Sequence, residues 1–108
     1  MKNFYIIGIR YNPQLGAFLK VKIATAKLNK KSITAKFEDL GEMTSLHFEK
    51  YSFTGVHLCT SPSECFDDYQ WSGYFDKSKA IAELQKWLDV DEISKERAKN
   101  AIDLIKNS

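Results

Sequence analysis

At 108 residues, 44% apolar and 13% aromatic, the chain carries enough apolar mass for one folded domain and too much for a disordered tail. Its most apolar run, Phe4 to Ile9, is closed by Arg10 and is too short for a membrane span or a signal-peptide core, so the expectation is a cytoplasmic protein with no membrane partner. The net charge of +2 conceals a division, with eight basic and no acidic residues up to Phe37, then eight basic against fourteen acidic ones; such a two-signed field steers charged macromolecules.

Phe4 to Tyr11 is rich in β-branched and aromatic residues of both parities, which predicts a central strand covered on both faces and ended by Asn12-Pro13. From about Ala17 to Ala26 the pattern alternates, Leu19, Val21 and Ile23 against Lys20 and Lys22. Ser32 to Glu38 alternates again, Ile33, Ala35 and Phe37 against Thr34 and Lys36. These segments predict an antiparallel meander with one buried and one wet face. On that reading Lys20, Lys22 and Lys36 share the wet face, and Lys27, Lys30 and Lys31 crowd the hairpin tip beside them.

Asp39 to Glu42 reads as a loop. Between Ser45 and Thr60 the apolar phase slips twice, which predicts two short strands with Lys50 and Gly55 as the irregular positions. Ser61-Pro62-Ser63-Glu64 combines a cap, a proline suited to the first helical turn and an acid that reaches back, predicting a short helix from Pro62 to about Tyr69. Gln70 to Phe75 reads as an irregular connector. Asp76 is a cap for a helix with Ala80, Ile81, Leu84, Trp87 and Leu88 as its apolar stripe, and a second helix from near Glu92 buries Ile93, Ala98, Ala101, Ile102 and Ile105. The expected fold is α+β: an antiparallel sheet of about four to five strands in residues 3–60, a short helix near 62–69, and a C-terminal helical hairpin (about 77–89 and 92–106) packed on the sheet, in a single domain over 1–108.

Glycine-rich phosphate loops, H-E-x-x-H and G-x-S-x-G are all missing, so the sequence points to binding without catalysis and without a cofactor. His47, His57, Cys59 and Cys65 are a chemically legal zinc set, since thiolate and imidazole suit tetrahedral zinc, but they lack paired C-x-x-C knuckles and stand only as weak metal candidates. The cysteines are expected as reduced thiols, because a disulfide between them would close only a small loop.

Two surfaces remain. Glu64 to Asp76 combines acids with aromatics, and its Glu64, Asp67, Asp68, Tyr69, Trp71, Tyr74 and Asp76 are the first candidate partner-binding set. Tyr and Trp are favoured at interface hot spots, and carboxylates steer a basic partner toward them. This supports a protein that docks on and neutralises another macromolecule, as an immunity protein, antitoxin or phage-encoded inhibitor does, the partner being basic or nucleic-acid-processing. The alternative is a nucleic-acid-binding module whose basic sheet face uses Lys20, Lys22, Lys27, Lys30, Lys31 and Lys36. A small zinc or thiol protein around His57, Cys59 and Cys65 is the third reading.

Overall fold

The computed structural model describes residues 3–60 and 69–108. β1 (Asn3–Asn12), β2 (Gly16–Leu28), β3 (Ser32–Asp39), β4 (Glu42–Glu49), β5 (His57–Leu58) and β6 (Gln70–Tyr74) form one antiparallel sheet in the order β4-β3-β2-β1-β6-β5. Among the described residues two helices complete the α+β architecture, α1 (Lys77–Gln85) and α2 (Glu92–Lys106). The sheet curls until its edges touch: Phe48 of β4 bridges Cys59, just past β5, and the Thr60 amide donates to the His47 carbonyl at 2.8 Å.

Curling gives the sheet two covered faces. The inner face gathers Phe4, Ile6, Ala24, Ile33, Ala35, Phe37, Leu46, Phe48 and Trp71. On the outer face Tyr5, Ile7 and Tyr74 meet Ala80 and Leu84 of α1 and Ala101, Ile102 and Ile105 of α2. β1 therefore buries both parities at its centre, which is why its sequence does not alternate. Its central position, between β2 and β6, agrees with that reading.

Four expectations change. Among the described residues the sheet has six strands, because Gln70–Tyr74 is not a connector but β6, paired with β1 on one side and β5 on the other. It escapes a propensity reading because Gly73 and Ser72 are poor strand formers, yet Gly73 is needed where the Phe4 ring lies against the backbone. Asp39 to Glu42 is no loose loop but a two-residue turn, with Leu40 and Gly41 at φ 53° and 83°, leading directly into β4. α1 stops at Gln85, with turns through Val90, rather than running to 89. In α2 Ile93 is exposed, and Ser94 takes the buried position.

Lys50 to Val56 lies outside the strands, with Gly55 at φ 80°, so the two phase slips of the sequence fall on that connection. The short helix expected near 62–69 falls mainly on residues 61–68, outside the described residues.

Candidate functional site

Even-numbered residues of β1 and β2 point to the inner side of the sheet, as Phe4 and Ala24 show. Toward the Asn12 end of β1 the same parity brings up Arg10, and on β2 it brings up Phe18 opposite Arg10 and Lys20 opposite Gly8. β6 delivers Trp71 beside Gly8 from the other flank. The missing side chain at Gly8 leaves room for that indole, whose nearest ring atom would lie 2.7 Å from an added Cβ.

Cations and rings then alternate in a row. The Arg97 guanidinium of α2 sits 4.4 Å from the Phe18 ring centroid, and Arg10 sits 4.7 Å from the same ring. Arg10 also lies 5.1 Å from the Tyr69 ring; the Lys20 ammonium is 4.4 Å from Tyr69 and 5.9 Å from Trp71. Arg97 is held in place by its Nη1, which donates to the carbonyls of Leu15 and Ala17 at 2.8 and 2.9 Å. Beyond Lys20 on the same parity, Lys22 pairs with Asp39 at 2.9 Å. Arg10 has no carboxylate partner among the described residues. The interleaved rings favour each of the three cations there by their quadrupoles.

The two surfaces expected from sequence are rearranged. Lys20 and Lys22 share a face, but Lys36 does not join them. Ala26 pairs with Ala35 and Thr25 with Lys36, so Lys36 lies on the outer parity with Thr25 and Lys27. The sequence shows alternation within each strand but not the register that decides which parities match across strands. Lys30 and Lys31 are exposed at the β2–β3 turn, beyond the far end of β2 from Lys20.

Of the acidic–aromatic set, Tyr69 and Trp71 enter the cation row. Trp71 is only 8% exposed and Tyr74 only 2%, Tyr74 being packed beneath the helices. Burial raises the Tyr74 phenol above its ordinary range, and its OH lies 3.0 Å from the Ser72 hydroxyl. Asp76 caps α1, accepting from the Ser78 amide and hydroxyl at 2.9 and 2.7 Å. That hydroxyl bond above all, then the amide, holds its carboxyl below the usual range. Glu64, Asp67 and Asp68 lie outside the described residues.

The zinc candidates separate. His57 is buried on the inner side, its Nδ1 2.9 Å from the Glu49 carbonyl and its ring edge-on to Phe75. His47 pairs with Thr34, across from the inner parity, and its Nδ1 lies 3.1 Å from the Thr34 hydroxyl. The two imidazoles therefore belong to opposite faces. Cys59 packs against the inner cluster, and Cys65 lies outside the described residues. Among the described residues no three His, Cys, Asp or Glu side chains gather as a metal site, and no helix is long and apolar enough to cross a membrane.

Sequence reasoning missed Arg10 and Arg97 as members of this row. One signal was present: the chain has fourteen lysines but only two arginines, and both arginines lie over Phe18. Arginine is the cation that stacks well on a ring. No protein-family model matches this chain, and no curated protein or solved structure matches it either.

Proposed function

We propose that this chain acts by binding rather than catalysis, and that its cation–aromatic row takes single-stranded nucleic acid. The carrying observation is the alternation of Arg97, Phe18, Arg10, Tyr69, Lys20 and Trp71 on one side of a curled sheet. Unpaired bases need flat faces, phosphates need cations, and single-strand binders supply both along one track. Duplex fits less well, because the row belongs to the inner, curled side and presents no helix for a groove.

The test is an anisotropy titration of labelled single-stranded and duplex oligonucleotides. Single strands should bind preferentially, and the double variant Arg10→Gln/Lys20→Gln should weaken binding about tenfold or more, by loss of two phosphate contacts. Equal binding by the variant rules the row out.

A second reading keeps the protein as an inhibitor that docks on another protein, and one observation favours it. Tyr51 and Phe53 in the β4–β5 connection are 78% and 111% exposed, and exposed aromatics of this kind serve as interface anchors. Phe53→Ser would abolish such docking while leaving oligonucleotide affinity unchanged.

A further inference from the structure

β6 begins at Gln70, opposite Ile9, so the last three residues of β1, Arg10 to Asn12, run past it. Beside this overhang lies a cavity of about 680 Å³, within the size range of small-molecule pockets. Its walls are aromatic. Trp87, in the turn after α1, stacks on Tyr11 with centroids 5.6 Å apart and planes at 28°, and Phe18 lines the cavity as well. Arg10 is the charged residue of the lining, no acid faces it among the described residues, and Gln70 adds an amide.

Backbone hydrogen-bonding groups complete the site. Ala17, opposite Tyr11, gives its amide to Ser94 and its carbonyl to Arg97. The Tyr11–Ala17 pair is therefore the wide kind, in which the backbone groups of both residues point away from each other. Tyr11 consequently directs its own amide and carbonyl to the side where β6 has ended.

Aromatic walls call for a flat ring. The Tyr11 amide and carbonyl call for hydrogen-bonding groups on that ring, and the Arg10 guanidinium calls for an attached anion. We infer that the cavity holds one nucleotide of the bound strand, its base among Tyr11, Phe18 and Trp87 and its phosphate on Arg10. This rests on the nucleic-acid reading of the neighbouring row, to which Arg10 also belongs, and it adds base selectivity to that reading.

The experiment uses the full chain with adenine, cytosine and thymine homopolymer oligonucleotides, read by anisotropy and by the indole N–H resonances in 15N spectra. One base type should bind at least about tenfold tighter than another, and the Trp87 indole resonance should shift on binding. Trp87→Ala removes one aromatic wall; it should reduce the preference at least severalfold while strand binding persists. Equal affinity for all three homopolymers with an unmoved Trp87 resonance overturns the cavity inference and leaves the row standing. Failure of every oligonucleotide to bind overturns both.

Discussion

A methyl group added at Gly73 would overlap the Phe4 ring, and one at Gly8 would meet the Trp71 indole. Both glycines lie on the inner parity, where a ring crosses the neighbouring backbone, and neither conflict is relieved by rotating a long side chain. Gly73→Ala is expected to destabilise the fold by about 1–3 kcal/mol, the usual cost of overpacking, seen as a lower urea midpoint. Gly8→Ala should do the same and also disturb oligonucleotide binding, because Trp71 closes the cation row. The helix caps make a prediction in pH. The Asp76 and Asp91 carboxyls are held below their ordinary value, Asp76 first by the Ser78 hydroxyl and Asp91 first by the Ser94 amide. A depressed carboxyl binds fewer protons folded than unfolded, so its contribution is complete above the unfolded value, about 3.9, and is lost as pH falls through the folded one. Urea midpoints measured from about pH 6 down to about pH 2 should fall below about pH 4, and should fall less in Asp76→Asn/Asp91→Asn, which starts from a lower midpoint.

A buried serine joins α2 to the sheet beside Arg97. Buried Ser94 accepts from the Ala17 amide at 2.8 Å, donates to Asp91 at 2.9 Å and gives its own amide to the same carboxylate at 2.7 Å. Ser94→Ala should cost about 1–3 kcal/mol, because the buried Ala17 amide loses its acceptor, while Ile93→Ala, at an exposed position, should cost well under 1 kcal/mol. Denaturant melts of the two variants would rank them. The contrast also explains what could be read in the chain at this level. Long, strongly patterned segments such as Phe4–Tyr11 and Glu92–Lys106 declare themselves through periodicity and caps. β6 does not, since its five residues include a glycine kept for ring clearance, and its strand identity comes from two neighbours far away in sequence. Ile93 and Ser94 exchange roles for a similar reason: the helix stripe is legible, but the buried hydrogen bond that rotates it is not.

Across the whole molecule, the excess of basic residues before Phe37 was legible and its arrangement was not. Alternation placed Lys20, Lys22 and Lys36 together, whereas the Ala26–Ala35 register sends Lys36 to the other side and curling turns the Lys20 side inward. Arg97 reaches the row from the far end of the chain, through bonds to Leu15 and Ala17 that no local pattern announces. Charge reversal at Lys30 and Lys31, beyond the far end of β2, should therefore change oligonucleotide affinity less than twofold at about 150 mM salt. The most direct test of the cation row is the salt dependence of single-strand binding, wild type against Arg10→Gln/Lys20→Gln, between about 50 and 200 mM salt. With about three phosphates engaged, the slope of log affinity on log salt should be near −2 and should flatten by about 1.4 in the variant, at about 0.7 per phosphate. Binding with the same slope in both proteins, or no single-strand binding at the lowest salt, would contradict the account.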